Sequence, residues 1–149
     1  MKPFLLSTLL IVATFSTSLY AQEPDKAAIA FLGEQLLTAF RNNSFQEFET
    51  LYENQKTDTV KDTVTLEAEQ EAKMWNYITT VVEAENSGVN WAKATLLDVA
   101  YEPAANNGAK TAHIRLYCEA ENRTFTLKLD SAPAEPLWYI STPIAFELQ

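Results

Sequence analysis

The chain has 149 residues, 20 acidic against 11 basic side chains, a single cysteine and a single histidine. A net charge of −9 repels phosphate backbones and anionic headgroups, which excludes nucleic acid and anionic membrane surfaces as natural partners. One cysteine, Cys118, excludes an internal disulfide, and one histidine with no clustered carboxylates gives no metal-ligand pattern, so no metal or other cofactor is expected.

The first predicted element is not part of the fold. Residues 4–15 read FLLSTLLIVATF, with Lys2 the one charge before them. An apolar run of that length followed by polar residues has the form of a signal peptide. It is too short for the roughly 20 residues of a spanning helix. The expected cut follows Ala21, making Gln22 the mature N-terminus, with a cut after Ser18 as the alternative. The expected organisation is therefore a signal peptide over 1–21 and one α+β domain over 22–149, exported to the periplasm or secreted. Loss of Lys2 takes the net charge from −9 to −10.

From Pro24 the chain reads PDKAAIAFLGEQLLTAFR. Ile29, Leu32, Leu36 and Phe40 share one side of a helix. Asn42 and Asn43 accept the conformations that end it. Ser44 and Glu47 then form an S-x-x-E capping pattern, so a second helix starts at once, with Phe45, Phe48, Leu51 and Tyr52 as its apolar side. The corner is tight, not a linker.

Residues 54–63 are polar and predict a loop. Thr65 is the expected cap of a third helix running to about Glu85. Its apolar residues, among them Leu66, Met74, Trp75, Tyr77, Ile78, Val81 and Val82, cover more than half the circumference. Such a helix is expected to pack on two sides, against a sheet and other helices. The sequence ENSG ends it.

After Gly88 the pattern predicts four strands, at about 90–102, 110–120, 123–130 and 137–147. The middle two form a hairpin. With Glu121–Asn122 as a two-residue loop, Cys118 faces Phe125, Leu116 faces Leu127 and Ile114 faces Leu129. The other side then pairs Tyr117 with Thr126, Arg115 with Lys128 and His113 with Asp130. Cys118 is thereby expected to be buried and inert. In the closing strand Trp138 and Ile140 share the inner face and Tyr139 takes the other.

Helices followed by an antiparallel meander make an α+β order. The segment AIAFLGEQLLTAFRNNSFQEFETLY, the third helix and the closing PLWYIS resemble the NTF2-like superfamily, which includes the SnoaL-like and ketosteroid-isomerase-like proteins. The resemblance covers most of residues 25–147 and rests on element order, not on a catalytic signature. It implies a cone, in which a curved antiparallel sheet of about four strands wraps the helices around a pocket; the related cystatin-like fold has one main helix where three are predicted here.

The resemblance also implies where an active site would lie, with an acid and a tyrosine inside the cone. Asp98, in TLLDVAY, is the one acid within an apolar strand: it is read either as a solvated residue on the outer sheet face or as the candidate general base of an isomerase or cyclase. The expected pocket, between the third helix and the inner sheet face, is lined by Trp75, Tyr77, Ile78, Tyr101, Leu116, Leu127 and Trp138. With no inward polar cluster, the sequence favours a non-catalytic module binding a small apolar ligand or a protein. The remaining alternative is a structural homodimer through the open sheet face, which would carry Arg115, Tyr117, Thr126 and Lys128.

The leader predicts an exported protein that begins at Gln22. Intact-mass measurement on material from its native compartment checks this, and a mass that retains residues 1–18 would overturn it.

Overall fold

A computed structural model describes residues 24–52, 63–104, 108–134 and 137–148. The expected leader and most of the expected loop at 54–63 lie outside the described residues. The architecture is α+β: helices α1 (Pro24–Arg41), α2 (Phe45–Glu49) and α3 (Thr63–Asn86) precede a five-stranded antiparallel sheet. Its strands are β1 (Ala94–Pro103), β2 (Lys110–Cys118), β3 (Arg123–Ala134), β4 (Leu137–Ile140) and β5 (Ala145–Leu148). A single 3-10 turn, Trp91–Lys93, leads into β1.

The α1–α2 corner is built from its own side chains. Asn43 takes the left-handed conformation, with φ 48°. The amide of Ser44 donates to Ala39 O and that of Asn43 to Phe40 O, which closes the end of α1. The Ser44 hydroxyl accepts from the Glu47 amide at 3.2 Å. The Glu47 carboxylate does not return to the Ser44 amide, already engaged with Ala39; it accepts from the side-chain amide of Asn42 at 3.0 and 3.1 Å. α2 is shorter than expected. The backbone after Thr50 leaves the helix, and the Leu51 carbonyl accepts from the Ile140 amide at 2.8 Å.

α1 covers the sheet. Ile29, Leu32, Leu36, Leu37 and Phe40 are buried, and the helix packs on β1, β2 and β4. Gly33 permits the approach: a Cβ there would lie 3.0 Å from Ile114 Cγ2 and 3.3 Å from Leu96 Cδ1. The expected position of α3 against the sheet is thus taken by α1. α3 packs instead on α2 and β5. It buries Tyr77, Thr80 and Ala84 on one side, and its other apolar side is exposed. The expectation of two packed sides is corrected. α3 starts two residues before the expected cap Thr65 and ends, as ENSG predicts, with Gly88 at φ 89°.

The β2–β3 hairpin differs from expectation in register by two residues. Residues 119–122 form the turn, with Asn122 left-handed, so Leu116 pairs with Phe125, Ile114 with Leu127, Ala112 with Leu129 and Cys118 with Arg123. On the other side His113 pairs with Lys128, Arg115 with Thr126 and Tyr117 with Thr124. A shift of two preserves which face each side chain occupies. Ile114, Leu116, Cys118, Phe125 and Leu127 accordingly remain fully buried.

The expected fourth strand is two strands on one edge. β4 pairs with Ser131–Ala134 and β5 with Phe125–Lys128. Between them Ser141–Ile144, which includes Pro143, stand opposite only Leu129 and Asp130. This break in the ladder is closed by the Ser141 amide on Asp130 O and the Asp130 amide on Thr142 Oγ1, both at 2.9 Å.

Its inner side is held by α3. The Asn76 side-chain amide donates to Ile144 O, and its carbonyl accepts from the Ile144 amide, each at 2.9 Å. The same carbonyl accepts from the Tyr52 hydroxyl at 2.8 Å. Asn76→Ala removes all three bonds and should lower stability by about 2–3 kcal/mol. Denaturant melting checks this; an unchanged midpoint would mean that strand pairing alone holds the break together.

Candidate functional site

The seven expected pocket residues do not line a common cleft: Tyr77, Leu116, Leu127 and Trp138 are part of the filled core, with Tyr101 packed against it. Leu116 and Leu127 are fully buried, and Trp138 is nearly so. Tyr77 is also buried, but beneath α2 in an aromatic cluster, not over the sheet. Its ring lies 5.2 Å from that of Phe48, 5.8 Å from Phe40 and 5.9 Å from Phe45. Tyr101 is half-buried on β1, with Lys110 Nζ 5.6 Å from its ring centre. Trp75 and Ile78 point away from the core and are 60% and 40% exposed.

Asp98 lies on the outer face of the sheet. A bulge between Leu96 and Asp98 breaks the alternation of β1: Leu96 pairs with Leu116, Asp98 with Arg115. The extra residue, Leu97, is exposed, and Val99 returns to the core. Strict alternation from Leu96 would have put Asp98 inside. Its carboxylate instead meets Arg115 Nη1 at 2.9 Å in solvent. The rest of that face is polar and locally paired. Thr111 Oγ1 donates to Asp130 at 2.6 Å, Tyr117 donates to Asn122 at 3.0 Å, and His113 Nε2 stands 3.7 Å from Glu102. Asp130 is thus engaged with Thr111, not with His113.

The tyrosine hydroxyls near the core are already engaged. Tyr52 donates to Asn76, and Tyr77 to Asn43 Oδ1 at 2.9 Å. Burial pushes the ionisation of both upward; for Tyr77 the carboxylates of Glu85 and Glu47 add to it. Both are donors at neutral pH, aimed at asparagine carbonyls.

An open cleft of about 650 Å³ lies where the end of α1 meets the end of α3 and the residue 87–92 connection. Phe40, Val81, Val89 and Trp91 supply its apolar lining, and Arg41, Glu85 and Glu121 its charges. Trp91 stacks on Phe40 at 4.5 Å between ring centres. Arg41 Nη2 donates to Ala94 O at 2.6 Å and Nε to Trp91 O at 3.3 Å, so the guanidinium ties α1 to the start of β1. One cation committed to backbone carbonyls, against two carboxylates, gives the cleft no focused field for an anion.

The outer side of α3 is the other candidate. Val64, Met74, Trp75, Ile78 and Val82 are all exposed. They fall within an arc of roughly 100° at 100° per residue, nearly opposite the buried Tyr77, Thr80 and Ala84. Trp75 is fixed in part by its own turn, its indole N–H reaching Glu71 Oε1 at 3.4 Å. The sequence signalled this stripe as excess apolar circumference, but periodicity does not say which side faces inward.

Among the described residues no group of three or more histidine, cysteine, aspartate or glutamate side chains could hold a metal ion, and no helix is long and apolar enough to cross a membrane. Cys118 is buried, its thiol 3.8 Å from the Asn90 carbonyl. No known protein-family model and no curated protein matches the chain.

The protonated Tyr52 sets a pH dependence. Its folded-state ionisation lies above the unfolded value of 10, so its contribution is complete below pH 10 and is lost as pH rises beyond it. Between about pH 9 and 11 Tyr52→Phe should lose less stability than the wild type. Melting curves across that range check this, and parallel losses would contradict it.

Proposed function

We propose that this chain is an exported, non-catalytic binding module of the NTF2-like kind, and that it takes a protein partner on the outer face of α3. What supports the family reading is the order of elements: three helices, an antiparallel meander, and the edge strand β4 that turns Trp138 and Ile140 inward. The observation that carries the binding reading is the exposed stripe centred on Trp75 and Ile78. A contiguous row of large apolar side chains on one helix is costly in water and marks an interaction surface. Exposed tryptophan is the residue type that most often anchors such an interface.

A small-ligand site is less well supported. α1 fills the inner face of the sheet, and the open cleft beside Trp91 has a charged rim. The isomerase reading needs an acid in an apolar cavity, whereas Asp98 is ion-paired with Arg115 on the exposed face. The open sheet face suits a homodimer poorly, since its side chains pair with one another and, among the described residues, Leu97 is the large apolar group exposed on it.

A photoreactive side chain at position 75 separates these readings, with one at Ala100 on the outer sheet face for comparison. In the native compartment the reading expects one discrete adduct with another protein from position 75, none from position 100, and loss of the adduct in an Ile78→Ser background. Adducts between two copies from position 100 would establish the sheet dimer instead. No adduct from either position would overturn the binding reading.

A further inference from the structure

We infer that the partner of the α3 face is a cationic amphipathic helical segment, an inference that rests on the binding reading above. The charges on α3 carry it. The helix has five glutamates and one lysine. Lys73 faces the core side, its Nζ 5.4 Å from the centre of the Tyr52 ring. Glu67 and Glu71 fall within the same arc as the exposed apolar residues at 100° per residue, whereas Glu85 turns toward the cleft at the end of α1. No lysine or arginine among the described residues pairs with either.

The face is therefore an apolar stripe spanning the 19 residues from Val64 to Val82, about 27 Å, interleaved with carboxylates that no described lysine or arginine pairs. A partner that buries the row must either neutralise those carboxylates or desolvate them unpaired, which is strongly unfavourable. A second copy of this face would bring the same glutamates together. An anionic lipid surface or a nucleic acid is repelled for the same reason. A helix with apolar residues on one side and lysine or arginine along its margins fits both features: the side chains of Met74, Trp75 and Ile78 meet its apolar side, and the carboxylates meet its cations.

The test uses three synthetic peptides of about 18 residues, enough for five helical turns. One has leucine and lysine at helical spacing, one leucine and glutamate, and one serine and lysine. Trp91 and Trp138 are buried, so a shift in tryptophan emission reports on Trp75. The mature protein should bind the leucine–lysine peptide saturably with a blue shift, and each of the other two at least about tenfold more weakly, a difference of about 1.4 kcal/mol. Ile78→Ser and Val82→Ser should each weaken binding by a similar factor. Glu67→Gln with Glu71→Gln should weaken it severalfold and flatten its salt dependence. All four positions are exposed, and unchanged denaturation midpoints confirm intact folds.

Equal binding of the leucine–glutamate peptide would overturn the charge argument. Equal binding of the serine–lysine peptide, or no effect of Ile78→Ser, would show attraction to an acidic protein without use of this face, and would overturn the inference as well. If position 75 yields its adduct in the native compartment but the leucine–lysine peptide does not bind, the partner chemistry inferred here is wrong and the binding reading survives. Failure of both removes both.

Discussion

The carboxamide of Asn76 holds together parts of the chain that hydrophobic packing alone does not align. It makes two hydrogen bonds to the backbone of Ile144, as a neighbouring strand would, and accepts a third from Tyr52. Its own backbone carbonyl accepts from the Thr80 hydroxyl. Three consequences follow from this one side chain. The last strand can be interrupted without leaving buried peptide groups unpaired. The chain beyond α2 is fixed beside β4, where Tyr52 and Ile140 form an isolated parallel bridge. And α3 is oriented about a polar pin, so its placement does not require every apolar side chain it carries to be buried. The exposed row on its outer side is compatible with a stable fold because the inner side is already fastened.

Much of the fold was legible because side-chain alternation tolerates the errors a sequence reader makes. The hairpin register differs by two residues from the one the sequence suggests, yet Leu116, Phe125 and Leu127 point inward in both, since an even shift leaves each side chain on its face. The helix ends were legible for a local reason: Asn43, Ser44 and Gly88 encode their conformations within a few residues. What escaped were features in which one residue alters parity or one polar group replaces an apolar contact. Leu97 is an odd insertion, and it sets Asp98 opposite Arg115 on the outer face, a pairing the sequence does not announce. Pro143 warned of a break in the last strand, but nothing local to residues 141–144 names Asn76, 68 residues before Ile144, as the partner that makes the break tolerable.

The candidate site moved for a related reason. Periodicity showed that α3 carries apolar side chains around more than half its circumference. It could not show that α1 would occupy the sheet, because that depends on Gly33 admitting the helix to within contact of Ile114 and Leu96. Once α1 lies there, Tyr77 belongs to the aromatic cluster of Phe40, Phe45 and Phe48, and Trp75 and Ile78, on the opposite side of the same helix, are left outside.

The two interruptions in the sheet have a bearing on how the protein behaves when crowded. The sheet ends in β1 on one edge and in β4 with β5 on the other. A straight free edge presents a regular ladder of amides and carbonyls to which a strand from another molecule can add, the first step toward fibrils. Here neither edge is straight: β1 is bulged at Leu97, and the far edge is broken at Ser141–Ile144 by a stretch that includes a proline. The offset of one residue on one side and two on the other prevents an incoming straight strand from staying in register along either edge. Self-templating through the sheet is discouraged by backbone geometry itself, leaving association to side chains on the surface.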